Sequence, residues 1–215
     1  MELREIMTID KPKGITSYTV IRILKRKMGH LKMGHAGTLD PMATGLMIIG
    51  VDKGTKKLNE YLKLSKTYEA EITLGIKTDT SDITGKILEE KNVPKLSEKE
   101  IKSALKATLG EHEFPVSIYS ALKKDGKPLY KYAREGKTIE SPLRKMKINI
   151  AKLQSFDGKV IRAVFDVESG TYIRSIAEEI GKKLGTVATL SNLRRTRIGD
   201  FNVVDAQIIV DPKSN

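Results

Sequence analysis

Two alternating stretches, Met146/Ile148/Ile150 and Ile161/Ala163/Phe165/Val167, flank Asp157-Gly158, and this pattern commits the chain to antiparallel strand pairing. Thr67–Leu74 alternates in the same way, with Tyr68, Ala70, Ile72 and Leu74 on one face. Ile6–Asp10 and Leu46–Val51 read as further strands, the first running into the turn Lys11-Pro12-Lys13-Gly14. Helical spacing appears between them. Val20, Ile21, Leu24 and Met28 follow a Ser17 cap and end before Gly29, and Leu58, Tyr61 and Leu62 share one face of a short helix. Ser97-Glu98-Lys99-Glu100 is a capping box with Leu96 and Ile101 as its hydrophobic staple, predicting a helix to about Leu109. Ile173, Ile176, Ala177, Ile180 and Leu184 predict another, from near Thr171 to Gly185. No βαβ rhythm emerges, so the fold class is α+β, with a mixed, largely antiparallel sheet flanked by helices. A chain of 215 residues can bury a sizeable core, and a single domain over 1–215 is expected.

The formal net charge of +12 is unevenly placed. Lys11–Leu39 holds seven cations and no acid, and Lys123–Lys147 holds nine cations against Asp125, Glu135 and Glu140. Together they exceed the total, so the remaining 161 residues are nearly neutral. Two basic segments on a neutral body point to a polyanion. Tyr119, Tyr130 and Tyr132 lie in or beside the second segment, the mixture expected where phosphates are neutralised and bases stack.

Without cysteine there is no disulfide, thiolate metal site or cysteine nucleophile, and three scattered histidines do not build a metal site. The longest apolar runs are far too short to span a bilayer, and the charged N-terminus leads into no apolar signal segment. The expectation is a cytoplasmic protein, monomeric, with no membrane and no metal.

Among possible reactive segments, Gly34-His35-Ala36-Gly37-Thr38-Leu39-Asp40-Pro41-Met42-Ala43-Thr44-Gly45 stands out. Its glycines allow close backbone approach to a ligand. Asp40 is the first carboxylate after the acid-free basic run, and neighbouring cations favour the ionised form that a carboxylate nucleophile needs. On these residues alone, Asp40-Pro41 reads equally well as an ordinary turn.

The same stretch resembles the catalytic motif of the TruB family of tRNA pseudouridine synthases, and Lys11-Pro12-Lys13-Gly14 resembles that family's basic N-terminal motif. Companions follow in family order: Lys66-Thr67-Tyr68, Thr78-Asp79-Thr80-Ser81-Asp82, Tyr119-Ser120-Ala121-Leu122-Lys123, Leu129–Gly136, Ser169-Gly170-Thr171-Tyr172-Ile173-Arg174 and Leu193-Arg194-Arg195. The resemblance implies the pseudouridine synthase fold and isomerisation of uridine 55 in the T-loop of tRNA to pseudouridine, with no external cofactor. It implies Asp40 as nucleophile, acting on a base flipped from its stack. Tyr68 would stack on that base and assist deprotonation at C5, and Arg174 would pair with the carboxylate. His35 would hold the rearranged T-loop, Leu193 would line the pocket, and Tyr172 is placed among the substrate-binding residues. Lys11, Lys13, Arg194 and Arg195 are assigned to phosphates or local support, for a partner comprising the T-loop and stem of tRNA. A basic insertion at about 115–140 would close over the RNA.

The position of Arg174 agrees on independent grounds, because a cation in the first turn of a helix opposes the dipole and calls for an anionic partner. Relatives often read Pro-Pro-Met-Tyr-Ser where this chain has Phe114-Pro115-Val116-Ser117-Ile118-Tyr119-Ser120. Many also carry a C-terminal PUA domain, which is not expected here. The alternatives are a guide-RNA-dependent synthase resembling dyskerin and a non-catalytic tRNA-binding or tRNA-folding protein.

Overall fold

A computed structural model of the chain describes residues 5–120, 122–135 and 139–209. Ala121 and Gly136, quoted within the motifs above, lie outside that set. In chain order the elements are β1 (Ile6–Lys11), α1 (Ser17–Met28), β2 (Met33–His35), β3 (Thr44–Val51), α2 (Leu58–Lys63), β4 (Lys66–Leu74), β5 (Ile76–Thr78) and β6 (Ile87–Glu90). They continue with α3 (Glu98–Lys106), β7 (Gly110–Pro115), β8 (Lys123–Lys124), β9 (Lys127–Pro128), α4 (Leu129–Arg134), β10 (Leu143–Phe156) and β11 (Val160–Val167). The last are α5 (Ile173–Lys183), β12 (Ala188–Ile198), β13 (Phe201–Asn202) and β14 (Gln207–Ile208). The class is α+β, as predicted. The chain divides into two compact units, Met1–Glu69 with Leu193–Asn215, and Ala70–Asn192.

In the first unit strands follow the order β14-β1-β3-β12. β1 runs antiparallel to β3 from Ile6↔Gly50 to Lys11↔Gly45, and β12 runs parallel to β3 at Arg194↔Thr44 and Arg195↔Gly45. β3 is apolar on both faces, so it occupies the centre of the unit's core. Ala36, Leu46, Ile48, Ile198 and Val203 cluster there, covered by Leu58, Tyr61 and Leu64 and by an edge-to-face contact of Tyr61 with Phe201. Helix α1 buries Val20, Ile21, Ile23 and Leu24. Its N-cap is Thr16, whose hydroxyl accepts from the Thr19 N–H, and not Ser17 as the sequence suggested. Ser17 is instead the first helical residue, and its hydroxyl turns to the backbone of Leu39.

In the second unit the order is β4-β11-β10-β7. The expected hairpin is β10 with β11; Asp157 turns its carboxylate back onto the Lys159 and Val160 N–H groups. The Ser97 capping box forms, but α3 ends at Lys106, before the expected Leu109. Helix α5 begins at Ile173 with Tyr172 as an N-cap that lends no side-chain bond, which corrects the start expected near Thr171. β7 was not foreseen, because Gly110-Glu111-His112-Glu113-Phe114-Pro115 lacks the β-branched residues that mark strands. Among the described residues no helix is long and apolar enough to cross a membrane, and no group of three or more His, Asp or Glu could hold a metal ion.

Candidate active site

The segment from Gly37 to Ala43 in the first unit has no regular secondary structure, yet side chains from three elements fix its backbone. Ser17 of α1 both accepts from the Leu39 N–H (2.9 Å) and donates to the Leu39 carbonyl (3.1 Å). The Lys11 ammonium, at the end of β1, donates to the carbonyls of Ile15 (2.8 Å), Pro12 (3.0 Å) and Pro41 (3.5 Å). The Gly14 N–H also donates to Pro41 (2.8 Å). Arg195 of β12 donates from Nε to the Leu46 carbonyl (2.7 Å) and from Nη2 to that of Gly37 (3.2 Å). Asp40, half-buried, is therefore flanked on both sides by anchored peptide groups, and its own carbonyl accepts from the Ala43 N–H (3.1 Å).

This arrangement bears on the two roles, phosphate contact or local support, left open for Lys11 and Arg195. Lys11 and Arg195 are only 0% and 1% exposed, so as placed they support the loop and do not reach substrate phosphates. Their burial is tolerated because each charge is bonded to backbone carbonyls. Arg194, the next residue on the strand, points the other way and grips the Asp10 carboxylate with both terminal nitrogens (2.7 and 3.1 Å). Gly45 is required where β12 meets β3: its φ is +108°, and a Cβ there would sit 2.2 Å from the Arg195 carbonyl oxygen.

Electrostatics connect these groups. Burial pushes the Lys11 ammonium down to about 8, with Arg195 adding to the effect and the Asp40 carboxylate opposing it. His35 lies on β2, and burial, followed by the Arg195 charge, lowers its pKa despite a Gly37 backbone hydrogen bond, so the imidazole is neutral at pH 7. Its Nδ1 is buried and has no partner among the described residues. Tyr68 and Leu193 are both buried, on β4 and β12.

The second unit holds Tyr172 and Arg174. Arg174 is buried in the first turn of α5 and donates from Nη1 to the Thr80 carbonyl (2.7 Å) and from Nη2 to that of Tyr119 (3.1 Å). The buried Asp82 carboxylate lies 3.9 Å away. Asp82 is the carboxylate beside Arg174 that sequence reasoning passed over individually. Its motif carried the signal, since Thr78-Asp79-Thr80-Ser81-Asp82 is a run of short polar side chains able to bond backbone. Asp82 accepts from Thr80 and from the Thr84 N–H, and Ser81 takes φ +62°, a left-handed conformation uncommon outside glycine. The Tyr119 hydroxyl donates to Asp79 (3.4 Å), and burial, then the Asp79 charge, raises its pKa. Tyr172 is half-buried and donates its N–H to Met146 Sδ (3.4 Å).

Comparison with known proteins shows the family and the fold. A family model described as TruB family pseudouridylate synthase (N terminal domain) matches residues 25–173. A "tRNA pseudouridine synthase B" of Caldicellulosiruptor saccharolyticus is 46% identical over 200 residues, covering 92% of this chain and 68% of that protein. One of Aromatoleum aromaticum is 42% identical over 201 residues, covering 94% of this chain and 65% of that protein. Among solved structures, a chain of an H/ACA RNP bound to a substrate RNA containing 2'-deoxyuridine superposes with a TM-score of 0.71 at 26% identity, covering 94% of this chain and 50% of its own. The fold is thus that of a pseudouridine synthase. The chain belongs to the TruB family, and it spans about two thirds of the length of the curated relatives it matches.

Proposed function

We propose that the chain isomerises uridine to pseudouridine in tRNA, at position 55 of the T-loop, with Asp40 as nucleophile. The observation that carries this reading is the half-buried Asp40 on a loop anchored at Gly37, Leu39 and Pro41 by Arg195, Ser17 and Lys11. A loop built to display one carboxylate among buried cations has little use in a protein that only grips a polyanion. Fixing the backbone on both sides also removes the reorganisation that would otherwise accompany attack.

The product is an isomer of the substrate, so the atoms balance without a cofactor. Asp40 bonds transiently to the nucleotide as the N1–C1′ bond breaks, the base turns, C5 bonds to C1′ and the bond to Asp40 breaks, returning the carboxylate, and the C5 proton leaves while N1 gains one. Tyr68 is assigned to stack on the base and assist removal of the C5 proton, and Arg174 to serve as the cation for the carboxylate. His35, neutral and with Nδ1 unpartnered, is assigned to the T-loop. Leu193 and Tyr172 are assigned to the pocket. The guide-RNA alternative is less well supported, since identity is 46% to a relative named for tRNA against 26% to the H/ACA chain.

The test is an unmodified tRNA transcript incubated with the protein and with Asp40→Asn, mapping pseudouridine and measuring binding together. Loss of product with binding retained is expected. Normal turnover by Asp40→Asn contradicts the assignment, and binding without product by the wild type supports the non-catalytic alternative.

A further inference from the structure

We propose that the outward face of α1 is a docking surface for the phosphates of an RNA stem flanking the target loop. The inference rests on the tRNA reading above and extends it to a surface outside the Asp40 loop. Of the seven cations in the first basic segment, the structure removes Lys11 to the interior and leaves Lys13, Arg22, Arg26, Lys27 and Lys32 exposed, with Lys25 half-exposed. Among the described residues none of these forms an ion pair, whereas Lys57 pairs with Glu5 and Arg194 with Asp10 elsewhere in the same unit. Tyr18, Arg22 and Arg26 fall at i, i+4 and i+8 on one stripe, opposite the buried Val20, Ile21 and Leu24. Tyr18 is 73% exposed, so the stripe opens on an aromatic ring and continues as guanidinium groups.

Three arguments favour a nucleic-acid stem. The helix has no acid along its length and no acid in its first turn, so nothing on it offsets the positive face. Its apolar side is already buried, which leaves no hydrophobic surface to enter a membrane. Its start is also bonded to the Asp40 loop, through Ser17 and Leu39. At a rise of about 1.5 Å per residue, Arg22 and Arg26 lie roughly 7 and 13 Å along the axis from Ser17, beyond the reach of the reacting nucleotide. A uridine flipped towards Asp40 would bring its flanking stem to that distance. Arginine forks bind phosphate oxygens bidentately and fix position without reading sequence.

The experiment compares wild type, Arg22→Glu/Arg26→Glu and the charge-preserving Arg22→Lys/Arg26→Lys on unmodified tRNA between 50 and 200 mM KCl. Thermal unfolding is measured for each variant to establish an intact fold. Two lost phosphate contacts should lower the slope of log K against log salt by about 1.5–2 and weaken binding at low salt by tenfold or more. The lysine variant should stay near wild type, and the glutamate variant should raise the KM for tRNA by a factor similar to its loss of affinity. A second arm uses a T-arm hairpin and an unpaired strand of the loop sequence, and the glutamate variant should lose affinity only for the hairpin. Unaltered affinity and slope for tRNA overturn the surface, as does equal loss on the unpaired strand. These binding results stand whether or not wild type forms pseudouridine, so a failure of the isomerase reading is seen separately, in the product.

Discussion

Lys11 shows how a residue type stays ambiguous without its neighbours. A lysine in a basic N-terminal motif reads as a phosphate contact or as local support, and its ammonium, enclosed by the carbonyls of Pro12, Ile15 and Pro41, fits the second. Lys11→Met should leave these acceptors without their donor and destabilise the protein by about 1–3 kcal/mol, partly offset by the charge no longer buried. A urea titration read alongside turnover checks this, with turnover expected to fall more than stability. The lowered pKa gives a second expectation. Between about 8 and the ordinary 10.5 the folded state has released a proton that the unfolded chain keeps, so wild type should gain stability relative to Lys11→Met as pH rises through that window. Over the same window the charge beside Asp40 is lost, and turnover is expected to decline. Arg174 teaches the complementary lesson. Its place in the first turn of α5 called for an anionic partner, which the family resemblance assigns to Asp40; within its own unit the structure adds the Asp82 carboxylate at 3.9 Å. Arg174→Lys keeps the charge but cannot span the Thr80 and Tyr119 carbonyls, so turnover should drop at least tenfold, as measured on tRNA, with little change in overall binding.

At the scale of elements, the sequence was most legible where local chemistry decides. The Ser97 box, the β10–β11 hairpin and the alternation of β4 all depend on near neighbours, and all formed as read. The boundaries of α1, α3 and α5 shifted by one to three residues, and at α1 a tertiary partner is the cause: the Ser17 hydroxyl serves Leu39 and leaves capping to Thr16. Short strands such as β7 and β14 exist only because a longer neighbour offers a ladder, and nothing in their own composition announces them. Two substitutions separate these cases. Ser97→Ala should cost about 1 kcal/mol in thermal or urea unfolding and leave turnover unchanged. Gly45→Ala combines positive φ with a clash against the Arg195 backbone, and should cost about 3 kcal/mol or more, or prevent folding. Expression and circular dichroism distinguish those outcomes.

For the molecule as a whole, the net charge of +12 proved to be two different things. Part of it is internal, with Lys11 and Arg195 stiffening the loop that presents Asp40, and part is external, on the face of α1 and on the described stretch of the insertion. Sequence could count cations and place them along the chain, but burial depends on partners more than 150 residues away, such as Arg195 on Gly37. Asp40 was legible as the candidate reactive group through its motif, while the clamp around it was not. The central claim is that this carboxylate drives exchange of an N1–C1′ bond for a C5–C1′ bond, which requires loss of the C5 hydrogen. Release of tritium to water from tRNA labelled at uridine C5 measures that step directly. One equivalent per tRNA should be released by wild type and none above background by Asp40→Asn; equal release by both would contradict the account.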